Sequence, residues 1–182
     1  MSRSSTDRHL AKQVILEIVR QAGGRFRNAT NLYKAFYYAH LYYAKDQVGL
    51  LTEWPIVRMP RGPGIDDGDV LISELKSAGV LRTKKVPVGP HVAEEYLLTD
   101  ENLPGDPLPE EAVEAIKEAV KFVKNRSARL VSDTVHEFSR SWKKCSNGEP
   151  LDIYIDLLSD AEYDEGHRKA LYWRTIAARS AR

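Results

Sequence analysis

Histidine and cysteine side chains, which carry much of enzyme chemistry, are not grouped here in a catalytic or metal-binding pattern. Cys145 is the only cysteine in the 182 residues, so the chain has no cysteine pair for a disulfide or a zinc cluster. No G-x-S-x-G sequence occurs. The five histidines show no HxxxH spacing and lie at positions 9, 40, 91, 136 and 167. We therefore expect a protein that is not an enzyme, with no catalytic residue, no metal and no cofactor.

A glycine-rich stretch before one predicted helix raises the question of a phosphate-binding loop. Such a loop ends in a glycine followed at once by Lys-Ser or Lys-Thr, and neither pair comes directly after Gly62, Gly64 or Gly68. The same stretch carries carboxylates that would repel a phosphate at the start of the helix, namely Asp66, Asp67 and Asp69. The sequence therefore gives no support for nucleotide chemistry at this place.

Aromatic side chains are concentrated in one predicted helix, at Tyr33, Phe36, Tyr37, Tyr38, Tyr42 and Tyr43. They point in several directions, so a single neighbouring helix cannot bury all six. Either other elements cross this helix on two sides, or some of the tyrosines form a partner-binding surface, since tyrosine and arginine often dominate interfaces. The second alternative places that surface where the helix meets the turn from Arg58 to Gly64. Its candidate partner-binding residues are Tyr37, Tyr38, Tyr42, Trp54, Arg58 and Arg61.

The elements that would position these residues follow from apolar spacing and turn residues. Residues 8–22 and 28–45 read as helices, the second capped by Asn28. Residues 50–59 read as extended, and residues 59–64 as a turn because two prolines and two glycines should not continue a ladder. A third helix begins at a cap on Asp66 and ends at Gly79. Two extended runs, 80–87 and 93–99, then form a hairpin. Three helices followed by a hairpin is the winged-helix order.

Residues 102–109 contain three prolines and form the best internal boundary of the chain. Two further helices follow, and the apolar spacing of the second places Trp142 in the core between the two halves. Residues 150–158 fit a strand and a helix equally well, and residues 159–162 form a capping box for a last helix. We expect a mainly α protein with a small antiparallel β-hairpin (α+β). A winged-helix-like half (8–103) packs on a helical half (109–180) within one domain, 1–182.

The overall charge argues against nucleic acid as the partner. The chain has 27 basic and 26 acidic residues and a formal net charge of +1, so it has no general attraction for phosphates. The third helix, which would enter DNA in a winged-helix protein, is acidic in its first turn. No apolar run is long enough to cross a membrane, and no secretory signal is evident. We expect a soluble cytoplasmic protein.

Three segments of the chain resemble a known family. The stretch Leu32–His40 resembles the "K-L-L-Y-x-A" aromatic helix of the Panacea domain, a domain of unknown function linked to phage-associated proteins. Arg58–Pro63 is similar to that family's "x-x-Y-G-P-V" turn. Ser132–Trp142 followed by Gly148–Leu151 is similar to its helix closing on a tryptophan before "G-x-P-I". The resemblance covers about residues 10–160.

The resemblance implies an antitoxin-like role, in which the protein binds and neutralises a partner toxin encoded nearby, without catalysis. The alternative function is a winged-helix DNA-binding transcription regulator. An enzyme with an unrecognised site is a third, weaker hypothesis. The oligomeric state is left open, as is any additional role in repression or in delivering a partner to a protease.

Overall fold

The computed structural model describes residues 5–88, 91–100 and 105–180. It is mostly helical with small antiparallel sheets, which confirms the predicted α+β class. Its helices are α1 (Ser5–Gln21), α2 (Ala29–Asp46), α3 (Gly68–Ser77), α4 (Glu110–Lys124), α5 (Ala128–Phe138), α6 (Arg140–Lys144), α7 (Tyr154–Leu157) and α8 (Asp160–Ser180). Its strands are β1 (Arg25–Arg27), β2 (Ile56–Met59), β3 (Gly62–Ile65), β4 (Leu81–Val88) and β5 (His91–Leu98).

The aromatic helix α2 lies at the centre of the fold. Its N-cap is Asn28, as predicted, and the Asn28 side chain accepts a hydrogen bond from the Thr30 N–H. Elements from both halves of the chain pack around it, including α1, α4, α5, α7 and β3. This arrangement is the first alternative given above, in which α2 is crossed on more than one side. Four of its six aromatic side chains are consequently buried: Tyr33, Phe36, Tyr37 and Tyr38.

The predicted hairpin is confirmed and belongs to a three-stranded antiparallel sheet in the order β1-β5-β4. Phe26 in β1 pairs with Tyr96 in β5, and both side chains are buried against the core. Glu95, next to Tyr96, lies on the other face and forms ion pairs with Arg27 and Lys84. The sheet therefore joins the segment between α1 and α2 to the hairpin.

The prediction that residues 59–64 are only a turn is wrong, because Gly62–Ile65 forms strand β3 and pairs with β2. The turn itself is two residues, Pro60 and Arg61. In a two-residue hairpin the pair that closes the turn, here Met59 and Gly62, is hydrogen-bonded. The next pair outward is not hydrogen-bonded, and the two kinds alternate along the ladder. Pro63 faces Arg58 at a non-hydrogen-bonded position, so its missing N–H costs no ladder bond.

Helix α3 begins one residue later than predicted. Its N-cap is Asp67, in the left-handed conformation with φ 50°, and not Asp66. The predicted end at Gly79 is confirmed, because Gly79 has φ 74° and its N–H donates to the Lys76 carbonyl. Glu74 pairs with Arg8 and Lys12 of α1, which connects α3 to the first helix.

The helix expected to carry Trp142 into the core ends earlier than its apolar spacing suggests. Ser139 has extended backbone angles, ends α5 and caps the short helix α6. The break turns Phe138 outward, where it is 71% exposed, and leaves Trp142 half-buried at the edge of the core. The prediction that Trp142 anchors the core between the two halves is therefore corrected.

For residues 150–158, which fit a strand and a helix equally well by sequence, the structure has one isolated β-bridge and then the short helix α7, with no strand. Pro150 forms an isolated antiparallel bridge with Val57, and the Leu151 N–H donates to the Ile56 carbonyl. The chain then turns into α7. The capping box is confirmed, since the Ser159 N–H donates to Glu162 and the Glu162 N–H donates to the Ser159 hydroxyl. In the described part of the chain, no helix is both long and apolar enough to span a membrane.

Candidate protein-interaction surface

Three of the six candidate partner-binding residues lie inside the protein, which corrects their assignment to an exposed surface. Tyr37 is 2% exposed, Tyr38 7% and Trp54 2%. The physical reason is that α2 has neighbours on several sides, so its aromatic rings are covered. Tyr42 and Arg58 are half-buried, and Arg61 is exposed.

The Tyr37 side chain belongs to a buried hydrogen-bond network centred on Asp156 of α7. The Tyr37 hydroxyl and the Ser139 hydroxyl donate to Asp156 Oδ2, at 2.8 and 2.9 Å. Ser141 donates to the same carboxylate from its backbone N–H and its hydroxyl. Burial, with the Asp156 charge nearby, raises the pKa of Tyr37 well above its ordinary value. The network holds α7 and the α5–α6 junction against α2.

Trp54 and Tyr38 also have structural partners. The Trp54 indole N–H donates to the Asp66 carbonyl at 2.7 Å, which fixes the segment that leads into α3. Tyr38 packs edge-on against Tyr37 and contacts Phe122 of α4, with ring centroids 4.5 Å apart. These contacts give both aromatics a structural role.

The polar surface around the β2–β3 hairpin is built on a stack of three side chains, Arg58, Trp142 and His136. The Arg58 guanidinium lies 4.0 Å from the centroid of the Trp142 ring, and the His136 ring stacks on Trp142 at 4.0 Å. Arg58 also donates to the Cys145 carbonyl. The Trp142 indole N–H donates to the Met59 carbonyl at 3.3 Å. The stack therefore fixes β2 to α5 and α6.

Arg61 lies at the tip of this hairpin, between two cavities. The Ser132 hydroxyl lies 2.9 Å from the Arg61 carbonyl and 2.9 Å from the Ala128 carbonyl, so its one proton is shared between them, and the contact with Arg61 places the tip against α5. The smaller cavity, about 210 Å³, is bordered by Tyr33, Met59 and Pro63. The larger, about 610 Å³, is bordered by β5 and by Ser132 and His136 of α5. The exposed guanidinium group of Arg61 therefore lies beside two cavities, on a hairpin that packs against α5.

A buried lysine lies beneath the tip, and sequence reasoning missed it. The Lys34 side chain is fully buried, and its ammonium group donates to the Ala128 carbonyl at 2.7 Å and to the Ser132 hydroxyl. Burial, opposed by the Asp133 charge and assisted by the Arg61 charge, lowers the pKa of Lys34 to about 8. The sequence did contain one indication of this burial. Lys34 lies within a run of aromatic residues in a helix that must pack against several neighbours. Lys34 connects α2, α5 and, through Ser132, the Arg61 backbone.

In the ranges that the structure describes, no group of three histidine, cysteine, aspartate or glutamate residues could hold a metal ion. The comparisons with known proteins add no assignment. No family model matches the chain, and no curated protein or solved structure is significantly similar to it. The resemblance to the Panacea domain therefore stays a prediction.

Proposed function

We propose that the protein is a non-catalytic, antitoxin-like interaction module that binds and neutralises a partner toxin protein. We define the tip surface as Met59, Pro60 and Arg61 with the neighbouring Arg58 and Trp142, and we assign partner binding to it. The observation that carries this proposal is the exposed Arg61 guanidinium on a hairpin whose backbone contacts Ser132 and Trp142. A preformed surface loses little conformational entropy on binding, and arginine and tryptophan are common hot-spot residues.

The family resemblance supports the same proposal from the sequence side. The segments that carry it are the ones that meet here: α2 provides Lys34, the hairpin provides Arg58 and Arg61, and the α5–α6 segment provides Ser132 and Trp142. A toxin encoded beside this chain is accordingly the partner to test first. A cytoplasmic location belongs to the same proposal.

A growth assay tests the proposed function. The chain is co-expressed with the product of the adjacent gene, and rescue of growth is scored for the wild type and for Arg61→Glu. We expect the wild type to rescue and the variant to fail while accumulating to the same level. The matched control is Lys121→Glu, a charge reversal on the exposed face of α4. A rescue by Arg61→Glu equal to that of the wild type would move the binding surface away from the tip.

The second candidate is a winged-helix transcription regulator, and the strand order β1-β5-β4 with α3 directly before β4 favours it. This order supports a winged-helix-like arrangement, which we propose as the fold of the N-terminal half. The charges on α3 argue against DNA as the ligand. Asp67 at its N-cap and Asp69 in its first turn are both exposed, and carboxylates at this end of a helix oppose phosphate binding. Fluorescence anisotropy with duplexes from the protein's own promoter, at physiological salt, separates the two functions: submicromolar, sequence-specific binding would favour the regulator.

A further inference from the structure

Helix α8 is attached to the rest of the fold only by its first turn. There, Asp160 pairs with Arg140 of α6, and the Lys144 ammonium group lies 4.4 Å from the centroid of the Tyr163 ring. From Asp164 to Tyr172 every residue is exposed. A stretch of this length makes about two and a half helical turns and includes every side of the helix. Beyond its first turn α8 is therefore open to solvent all round.

The exposed part of α8 is not uniformly polar. Leu171 is 50% exposed and Tyr172 62% exposed. Most helices in proteins owe their stability to packing of one face against another element. A long helix that is open on every side and carries exposed apolar residues is the kind of element that a second molecule covers.

The charges on α8 indicate which molecule that is. Within Asp160–Ser180 the acidic residues all come first and the basic residues all follow: Asp160, Glu162, Asp164 and Glu165, then Arg168, Lys169, Arg174 and Arg179. The helix dipole favours this order only within the first and the last turn, whereas here it continues through the middle of the helix. Two such helices side by side in the same direction repel each other, and in opposite directions they attract. The helix is therefore complementary to a second copy of itself, as a two-fold symmetric interface requires.

One face of α8 shows this complementarity residue by residue. Asp164, His167, Leu171 and Arg174 recur at 3-4-3 spacing, which places them along one side of the helix. In an antiparallel pair centred between His167 and Leu171, Asp164 faces Arg174 of the second copy. His167 then faces Leu171 of the second copy, and two-fold symmetry repeats both contacts.

The two charged residues of this face are available for such a contact. Arg168 donates to the backbone carbonyl of Asp164 at 3.3 Å and not to its carboxylate, and Lys169 pairs with Glu165 at 2.7 Å. Among the residues that the structure describes, neither the Asp164 carboxylate nor the Arg174 guanidinium has an ion-pair partner. Both side chains are exposed.

We propose that α8 pairs with α8 of a second copy of this chain in an antiparallel, two-fold symmetric dimer, with Asp164 of each copy paired to Arg174 of the other. Leu171 and His167 lie at the centre of the interface, between the two ion pairs. No residue of the tip surface belongs to α8, so the dimer and the proposed partner binding can each fail alone.

Sedimentation velocity of the full chain tests the proposal, over about 5–500 µM protein and with a reducing agent present so that Cys145 cannot link two copies. We expect a monomer–dimer equilibrium that weakens as salt is added, because exposed ion pairs are screened. Asp164→Arg and Arg174→Asp should each weaken the dimer at least about tenfold, since each places like charges opposite one another at both symmetric contacts. Lys121→Glu, an exposed charge reversal on α4, is the control and should dimerise as the wild type does.

A charge swap distinguishes antiparallel pairing from other modes of association. The double variant Asp164→Arg/Arg174→Asp should dimerise within about threefold of the wild type, and an equimolar mixture of the two single variants should form a heterodimer. Circular dichroism and melting curves establish that every variant keeps the fold. A wild type that stays monomeric over the whole range would overturn the proposal, as would a dimer that both single variants leave unchanged or a double variant that does not restore it. Tighter association of Asp164→Arg with the wild type than of the wild type with itself would indicate parallel pairing and would also overturn it.

Discussion

The Arg58 guanidinium lies 4.0 Å from the centroid of the Trp142 indole ring, across the junction between strand β2 and helix α6. The backbone of Arg58 makes a second connection at the same place. Its N–H donates to the Glu149 carbonyl and its carbonyl accepts from the Gly148 N–H. Both contacts hold the base of the hairpin to the C-terminal half. The hairpin tip can therefore be exposed without being loose.

Replacing Trp142 with alanine should destabilise the protein by about 2 kcal/mol. The change removes a cation–π contact and the hydrogen bond to the Met59 carbonyl, each contributing on the order of 1 kcal/mol. Trp142→Phe keeps a ring beneath Arg58 and should cost about half as much. Urea denaturation measures both variants. A loss above about 4 kcal/mol for Trp142→Ala would instead indicate the core role that the sequence predicts.

Replacing Asp156 with asparagine should destabilise the protein by about 2–4 kcal/mol. The carboxylate accepts hydrogen bonds from Tyr37, Ser139 and Ser141, and an amide cannot accept all of them. Asp164→Asn, an exposed position on α8, is the matched control and should change stability by less than about 0.5 kcal/mol. Thermal melting of the two variants gives the comparison, and equal melting temperatures would contradict the network.

The parts of the fold that local chemistry decides were predictable from the sequence. The Asn28 cap, the end of α3 at Gly79 and the Ser159–Glu162 capping box each depend on residues within a few positions of one another. Strand β3 was not predictable in this way. Pro63 can lie in a strand only at a non-hydrogen-bonded position, and the two-residue turn at Pro60 and Arg61 determines which positions those are. The composition of residues 59–64 does not show which positions are hydrogen-bonded.

Of the candidate partner-binding residues, only Tyr42, Arg58 and Arg61 have side chains that are not buried, so the sequence predicted the exposure of three of the six. Arg58 and Arg61 reach the surface, as expected of arginines beside a turn. Tyr37 and Trp54 do not, because burial of an aromatic ring depends on how many elements pack around it. Asp156, which binds the Tyr37 hydroxyl, is 119 positions away in the chain. No spacing rule connects two such residues.

Lowering the pH from about 6.5 to 4.5 should remove about 2–3 kcal/mol of stability through His40. The ring is fully buried, its Nδ1 atom is 2.8 Å from the Phe36 carbonyl, and burial lowers its pKa to about 4. The unfolded chain takes up a proton below pH 6.5 and the folded protein does not, so stability falls as pH falls. Urea denaturation gives the free energy of unfolding of the wild type and of His40→Gln at both pH values. The difference between the two proteins isolates the contribution of His40, because all other groups titrate in both. An unchanged difference between the two proteins over this range would contradict it.

Raising the pH should have the opposite effect through Lys34. Because the Lys34 ammonium group is buried against Ala128 and Ser132 with Arg61 nearby, its pKa is lowered to about 8 in the folded protein. The unfolded chain keeps this proton until about pH 10.5. Between these values the unfolded state binds more protons, so stability rises with pH. We expect the wild type to gain about 1–2 kcal/mol relative to Lys34→Met between about pH 7 and 9.5. The buried tyrosines are common to both proteins and cancel in the comparison. Urea denaturation at the two pH values measures the difference, and a constant difference would show that Lys34 stays charged in the folded protein.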